Sequence, residues 1–167
     1  MVKFEQVYEE NFKYIYNFIY MRVLHKETAE DLTSETFTNA FRSYDRFDPS
    51  IASVRTWLCS IAQHTVGMQL RKASTQREVT TDVIPESSRE DEDTLAVYEI
   101  NREAERILSN LTDEERYIVA LRLQGELSFK EIADILGINE KAASERYRRV
   151  IIKCRKYTDG KSMDDFM

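Results

Sequence analysis

The stretch ELSFKEIADILGINEKAASERYRRV, residues 126–150, indicates two helices joined by a tight turn. Ser128 followed three residues later by Glu131 is typical of a capping box, in which side chains satisfy the free N–H groups at a helix start. Gly137 then stands where a helix end favours a residue that adopts positive φ. Asn139 is a good N-cap for the next helix. The spacing therefore predicts a helix-turn-helix.

The second helix of this motif is predicted to run to about Lys156 and to have two faces. Ala143, Val150 and Cys154 recur at core spacing. A recognition helix turns its N-terminal outward residues to base edges and its flanking Arg and Lys to phosphates. A solvated basic helix that only packs on its neighbours is the alternative. The predicted DNA-contacting residues are Lys141, Ser144, Glu145, Arg146, Arg148, Arg149 and Lys153.

The whole chain is acidic, with a formal net charge of −6 and a pI near 5.1. Non-specific DNA affinity comes mainly from neutralising phosphates with Lys and Arg. The overall charge therefore argues against a stand-alone helix-turn-helix repressor or activator, which needs affinity without a partner. Glu145 repels phosphate, but its carboxylate can accept a hydrogen bond from cytosine N4 in the major groove.

Composition predicts an all-α fold. The 167 residues are 42% hydrophobic and include four Gly and two Pro, few for a fold with many turns. The periodicity predicts two small helical domains joined by a flexible linker, the second containing the helix-turn-helix. The predicted boundaries are 1–72 for the first domain, 73–94 for the linker, 95–157 for the second domain and 158–167 for a tail.

Three helices are predicted before the linker. The first has apolar residues three or four apart over 4–24. Thr28, complemented by Asp31, is expected to cap the second. The third is expected to begin near Val54 and to end near Lys72.

The linker has almost no periodicity, contains Pro85 and ends in an acidic cluster at 90–93. Such composition is typical of a segment that is flexible or ordered only on binding. Four helices are predicted after it, and Thr112 with Glu115 forms a further capping box for one of them.

Several function classes lack support in the sequence. No run of about 18 apolar residues predicts a membrane span, and no signal-like N-terminus is seen, so we expect a cytoplasmic protein. Cys59 and Cys154 lie far apart without a CxxC pattern, which favours small core residues over a zinc site or a disulfide. With no Gly-rich phosphate loop and two isolated His residues, we expect no enzyme, cofactor or metal.

Two segments carry a family resemblance. Residues 111–150, LTDEERYIVALRLQGELSFKEIADILGINEKAASERYRRV, resemble region 4 of bacterial sigma factors. Residues 28–72, which begin TAEDLTSETF, resemble region 2. The two regions joined only by a linker resemble the extracytoplasmic-function sigma factors. The resemblance implies a factor that binds core RNA polymerase and directs promoter-specific initiation, reading −35 duplex with the helix-turn-helix and opening the −10 element with the first domain.

The resemblance implies that residues 31–44 dock on the clamp coiled coil of the largest polymerase subunit. The residues agree, because three acids fall at i, i+4 and i+8. Acids in a first helical turn also favour the macrodipole, but that does not explain the third. The predicted docking residues are Glu27, Asp31 and Glu35, with Leu32 and Phe37 as flanking apolar surface.

The loop before the third helix, and that helix, resemble the element that reads −10 DNA as a single strand. Such binding needs basic residues along a groove and pockets for bases. Trp57 is interpreted as a core residue rather than a stacking platform. Many members have Asn where His64 stands, and often Lys or Arg where Ser144 stands. The predicted −10 residues are Arg46, Phe47, Arg55, His64, Met68, Arg71 and Lys72.

The resemblance also implies partners: the clamp and flap of polymerase, promoter DNA and an anti-sigma factor. The acidic run REDED is hypothesised to mimic RNA phosphates in a polymerase channel, with a plain solvated linker as the alternative. Beside the stand-alone regulator, a polymerase-binding adaptor that has lost promoter reading remains an alternative, motivated by His64 and Ser144.

Overall fold

The computed structural model describes residues 2–77 and 102–158. These residues are helical and contain no strand, so the all-α prediction is confirmed. No helix within the described ranges has both the length and the apolar character to cross a membrane. The elements are α1 (Phe4–Val23), α2 (Lys26–Ser43), a short 3-10 helix (Tyr44–Arg46), α3 (Val54–Arg77), α4 (Arg102–Ser109), α5 (Asp113–Leu123), α6 (Phe129–Leu136) and α7 (Glu140–Arg155).

The first three helices pack against one another around an apolar core. Ile15, Phe18 and Ile19, on one face of α1, are fully buried. Leu58 and Ala62 of α3 contribute the same kind of buried stripe. Each fully buried Leu, Ile or Phe contributes about 1.5–3 kcal/mol relative to an exposed side chain. This core fixes which faces of α2 and α3 point outward.

The start of α2 differs from the prediction. The helix begins at Lys26, two residues before the expected cap, and the N-cap is His25. The Thr28 N–H donates to His25 Nδ1 at 3.2 Å, and the Thr28 hydroxyl lies 2.8 Å from the same nitrogen. Thr28 therefore belongs to the first turn of the helix. The prediction was wrong because an imidazole nitrogen, not a hydroxyl, accepts the free N–H.

The end of α3 also differs, because the helix continues to Arg77 rather than ending near Lys72. Residues 73–77, expected to begin the linker, are helical. The rest of the predicted linker, with its acidic cluster, lies outside the described residues, as does the tail from residue 159.

The C-terminal half consists of α4 to α7. Its buried core includes Ile107, Leu121 and Ile132. The capping box predicted for α5 is confirmed in both directions: the Glu115 N–H donates to Thr112 Oγ1 at 3.2 Å, and the Thr112 N–H donates to Glu115 Oε2 at 2.9 Å.

The two halves are in contact through α1 and α5. The rings of Phe18 and Tyr117 pack edge to face across this contact, with centroids 6.0 Å apart. The buried apolar residues of the two halves form one cluster. The surfaces that carry function are therefore held by a core that both halves share.

Gly137 should be the most sensitive glycine of the helix-turn-helix. Its φ is +68°, a region that costs an L-residue about 1–2 kcal/mol. We expect Gly137→Ala to lower the free energy of unfolding by about that amount, measured by urea titration.

The matched control is Gly67→Ala in α3. A Cβ there would meet only Arg71 Nη2 at 3.8 Å, an ordinary contact. Because Ala favours helix over Gly, this variant should be more stable by about 0.5–1 kcal/mol. Equal effects at the two positions would contradict the assigned role of the turn.

Candidate nucleic-acid interface

The helix-turn-helix is formed by α6, a three-residue turn and α7. Ser128, Gly137 and Asn139 have their expected roles, and of the predicted Ser128–Glu131 capping box the structure shows the bond to the Ser128 side chain. Ser128 Oγ accepts from the Glu131 N–H at 3.1 Å, and Asn139 Oδ1 accepts from the Ala142 N–H at 2.7 Å. Gly137 ends α6 in the left-handed conformation. The prediction of two capped helices and a glycine turn is confirmed.

Arg122 ties the motif to the helix before it. Its guanidinium donates to the Leu127 carbonyl at 2.9 Å and lies 4.2 Å from the centre of the Phe129 ring. The Phe129 ring in turn contacts Tyr147 of α7, with centroids 5.7 Å apart. These contacts connect α5, α6 and α7, so they orient the outward face of α7.

The outward face of α7 carries most of the predicted DNA-contacting residues. Ser144 is half-buried, and Glu145 Oε2 lies 3.9 Å from Arg149 Nη2 one turn on. The Glu145 carboxylate therefore sits beside a cation that offsets its repulsion of phosphate. The exposed members of the set are Lys141, Glu145, Arg146, Arg148 and Arg149.

Lys153, the last predicted member, lies apart from this set. Its Nζ donates to Glu115 Oε2 at 2.9 Å, which raises the pKa of Lys153. Burial would raise the pKa of Glu115, but hydrogen bonds from Lys153 and from Thr112 outweigh it and leave that pKa below its usual value. The pair joins the end of α7 to the start of α5, a structural contact that the sequence did not indicate.

The predicted −10 residues fall in two groups. His64, Met68 and Lys72 lie one turn apart along α3 and are exposed, with Arg71 beside them. Arg46 and Phe47 precede α3. The α3 residues form an exposed strip that ends in two cations, Arg46 is exposed ahead of the helix, and Phe47 is half-buried.

Trp57 is interpreted correctly as a packing residue. Its ring is half-buried and lies 4.8 Å from that of Phe47 and 6.0 Å from that of Tyr44, measured between centroids. Phe47 is half-buried and belongs to this aromatic cluster.

Arg55 is occupied by two partners. Its guanidinium lies 3.6 Å from the centre of the Tyr14 ring and donates to Glu126 Oε2 at 2.6 Å. Burial would lower the pKa of Arg55, but the bonds to Glu126 and Tyr14 outweigh it and raise that pKa. Glu126 belongs to the C-terminal half, so this cation is held across the contact between the halves.

The exposed face of α2 is acidic. Glu27, Asp31 and Glu35 are all exposed and one turn apart, as the sequence predicted. The expectation that Leu32 and Phe37 add apolar surface beside them was wrong. Both side chains are 4% exposed, because they lie on the inward stripe of the same helix.

The exposed apolar residue of this helix is instead Phe41, which is 65% exposed and contacts Phe4 edge to face. At 3.6 residues per turn, Phe41 lies about 40° past Phe37, at the edge of the buried stripe.

Sequence reasoning also missed Arg22. This side chain, at the end of α1, is 1% exposed. It forms an ion pair with Asp113 of α5 and donates to Gln63 of α3. Arg22 lies seven residues after Ile15 and four after Phe18, so its place on the apolar face was a signal of burial.

Cys59 and Cys154 are buried, as predicted. Burial raises the pKa of Cys59 to about 12 and that of Cys154 to about 11. Within residues 2–77 and 102–158, no cluster of His, Cys, Asp and Glu has the arrangement of a metal site.

Comparison with known proteins identifies both halves. Residues 7–76 match the family model for sigma-70 region 2, and residues 107–156 match that for sigma-70 region 4. The chain is 30% identical over 165 residues to the ECF RNA polymerase sigma factor SigX of Bacillus subtilis, covering 93% of this chain and 84% of that protein. The chain belongs to the ECF sigma factors.

Other relatives agree. This sigma factor is 29% identical over 160 residues to RNA polymerase sigma factor YlaC of Bacillus subtilis, covering 91% of this chain and 90% of the relative. It is 32% identical over 160 residues to ECF RNA polymerase sigma factor BldN of Streptomyces coelicolor. That match covers 93% of this chain but 61% of BldN.

Two solved structures share the fold of this sigma factor. One is the sigma factor RpoE of Bartonella quintana, solved with the anti-sigma factor NepR, with a TM-score of 0.75 at 18% identity, covering 93% of this chain and 96% of that one. The other is CnrH, solved with the cytosolic domain of CnrY, with a TM-score of 0.67 at 20% identity, covering 95% and 89%.

The Glu115–Lys153 pair should make stability depend on pH. Because the folded-state pKa of Glu115 is lowered, its contribution is present above the unfolded-state pKa and is lost as pH falls through the folded-state value. We expect Glu115→Gln to lower the free energy of unfolding by about 1 kcal/mol at pH 7. The difference should shrink towards zero below a pH of about 4, measured by urea titration at several pH values.

Gln preserves the capping box, so this change removes only the charge. Lys153→Met removes the other partner and should lower the free energy of unfolding by a similar amount at pH 7. The double variant should lower it by no more than either single variant does. If Glu115→Gln lowers the free energy of unfolding equally at pH 3 and pH 7, the charge of Glu115 is not responsible.

Proposed function

We propose that this sigma factor directs promoter-specific initiation with three surfaces on three helices. The acidic face of α2 docks on core RNA polymerase, the exposed strip of α3 binds the −10 element as a single strand, and the N-terminal face of α7 reads the −35 duplex. The observation that carries the proposal is the segregation of charge. The outward face of α2 presents acids, while those of α3 and α7 present cations.

The docking surface consists of Glu27, Asp31, Glu35 and the exposed ring of Phe41. Interfaces commonly combine an aromatic anchor with complementary charge around it. Acids at one-turn spacing suit a basic partner, and the 65% exposed Phe41 supplies the apolar contact that Leu32 cannot. The expected partner surface is the clamp coiled coil of the largest subunit.

The −10 surface consists of Arg46, His64, Met68 and the Arg71–Lys72 pair. Single-stranded DNA binding needs cations along the backbone and flat or apolar side chains against bases. The exposed ring of His64 and the 42% exposed side chain of Met68 meet the second need. His64 can both donate and accept a hydrogen bond, so it is the proposed contact to an unstacked base.

The −35 surface is the N-terminal part of α7. Lys141, Ser144 and Glu145 lie nearest the helix start, where recognition helices contact base edges. Arg146 and Arg148 follow and suit the phosphates on either side. The Phe129 ring beside Ser144 adds apolar surface at the groove edge.

Partnership with polymerase also accounts for the acidic chain. Two weak DNA readers joined by a tether gain joint affinity through effective concentration. With polymerase supplying further DNA contacts, the factor needs no strong duplex affinity of its own. Its net charge of −6 then limits unproductive binding by the free protein.

The proposal extends to location and further partners. Polymerase and DNA require a cytoplasmic location, and we assign this sigma factor no chemical step of its own. An anti-sigma factor is proposed as a partner, supported by the related structure of the sigma factor RpoE, which is bound to the anti-sigma factor NepR.

The docking surface is tested by charge reversal. Asp31→Lys with Glu35→Lys should abolish co-purification with core polymerase and run-off transcription from genomic fragments, because like charges then face a basic partner. Circular dichroism should show an unchanged helix content, since both residues are exposed.

The matched control is Glu5→Lys with Glu9→Lys. This pair lies one turn apart on the exposed face of α1 and changes the net charge equally. It should co-purify with polymerase normally. Normal co-purification of the Asp31 and Glu35 variant would refute the docking face.

The division between the two readers is tested on α7. Arg148→Ala should weaken protection of the −35 element roughly tenfold while leaving −10 opening by the bound complex less affected. Footprinting measures the first and permanganate reactivity the second. Arg155→Ala, an exposed arginine at the far end of the same helix, is the control and should change neither. Equal losses at both elements in Arg148→Ala would contradict the division.

A further inference from the structure

We propose that the ion pair between Arg22 and Asp113 controls a closed state of this sigma factor, in which the two promoter-reading helices are held too close together to bind both promoter elements. The inference rests on the proposed assignment of α3 and α7 as the two readers. The proposal adds an intramolecular contact that controls when those two helices can bind the promoter.

Arg22 is enclosed by groups from both halves. Its Nε and Nη2 donate to the Asp113 carboxylate in a forked arrangement, with distances of 3.1, 2.9 and 3.0 Å. Its Nη1 donates to Gln63 of α3. Its guanidinium carbon lies 4.4 Å from the centre of the Tyr117 ring. Asp113 and Tyr117 belong to the C-terminal half, so Arg22 is one of the residues through which the two halves contact each other.

The two partners are unequally buried. The side chain of Arg22 is 1% exposed and that of Asp113 is 41% exposed. Arginine does not lose its proton in proteins, so a closed state without Asp113 would contain a buried and unpaired cation, which is strongly unfavourable. Asp113 without Arg22 stays hydrated. Closure therefore depends on Asp113 more than on Arg22.

The closed state separates the readers from their targets. Gln63 of α3 and Arg146 and Arg149 of α7 line one cavity of about 520 Å³. The −35 and −10 elements are about 25 base pairs apart, or about 85 Å along the duplex. Because α3 and α7 border one cavity, they cannot span that distance, so binding to both elements requires the halves to separate.

A second contact reinforces closure. Glu126 holds Arg55, one of the predicted −10 cations, at 2.6 Å. The Glu126 side chain is 60% exposed, and ion pairs in water contribute little. The Arg55 contact therefore masks a DNA-binding cation, while the Arg22 contact decides whether the halves stay together.

The experiment uses the full chain without polymerase. Small-angle X-ray scattering reports separation of the halves through the radius of gyration. Fluorescence anisotropy with a labelled oligothymidylate of about 15 nucleotides reports access to the single-strand surface, because stacking and phosphate binding tolerate any sequence. Asp113→Ala should increase the radius of gyration and raise oligonucleotide affinity roughly tenfold, because separation of the halves releases Arg55 from Glu126 to bind phosphate.

Glu114→Ala is the matched control. Glu114 is exposed, lies beside Asp113 in the first turn of α5 and contributes the same charge to that helix start. It should change neither measurement. This control separates loss of the ion pair from loss of an acid at a helix N-terminus.

A second variant separates opening from damage to α5. Arg22→Met should remain closed, and adding it to Asp113→Ala should restore the small radius of gyration, because no buried charge is then left unpaired. A radius that is unchanged in Asp113→Ala, or that Arg22→Met fails to restore, would overturn the proposed control. A larger radius with unchanged oligonucleotide affinity would support that control but overturn the assignment of α3 as a DNA reader.

Discussion

The limited core of each half is the constraint on which the rest of this structure depends. A helical unit of about 60 to 70 residues buries only about 60% of the surface that its unfolded chain exposes, and its stability is marginal. The contact of α1 with α5 adds apolar burial to both units, with Phe18 and Tyr117 packed across it. Because the core is shared, the arrangement of the two halves is part of the fold. The polar groups buried in that core, such as Arg22, then influence whether the halves stay in contact.

Arg22 is held in place by the short connection between α1 and α2. Only Leu24 and His25 separate α1 from α2. Leu24 adopts a φ of 51°, a left-handed conformation that costs about 1–2 kcal/mol without glycine. Its N–H nevertheless donates to the Tyr20 carbonyl at 2.8 Å, which caps the end of α1. This tight turn fixes the last turn of α1 against α2, and so it also fixes the position of Arg22 relative to Asp113.

Local features of the sequence were predictable because their causes are local. The capping box of Thr112 and Glu115, the left-handed Gly137 and the Asn139 cap each depend on residues within four positions of one another. The cap of α2 was missed because His25 is an uncommon N-cap whose Nδ1 replaces the usual oxygen. The periodicity of α2 indicated an apolar stripe but not its centre, so Phe37 was expected at the surface and is buried.

The contacts that join the halves could not be predicted in the same way. Arg22 and Asp113 are 91 residues apart, and Arg55 and Glu126 are 71 apart, so neither pair shares a helix or a turn. What the sequence did contain was a charged residue in phase with buried ones, as for Arg22 after Ile15. That pattern indicates that a partner exists without identifying it.

The burial of the two cysteines lowers their reactivity towards oxidants. Peroxides and electrophiles attack the thiolate rather than the thiol. Burial raises the pKa of Cys59 to about 12, so Cys59 stays a thiol at neutral pH. Cys154, at about 11, is little more reactive, and both sulfurs are enclosed. Oxidation of Cys59 or Cys154 therefore requires the fold to open first.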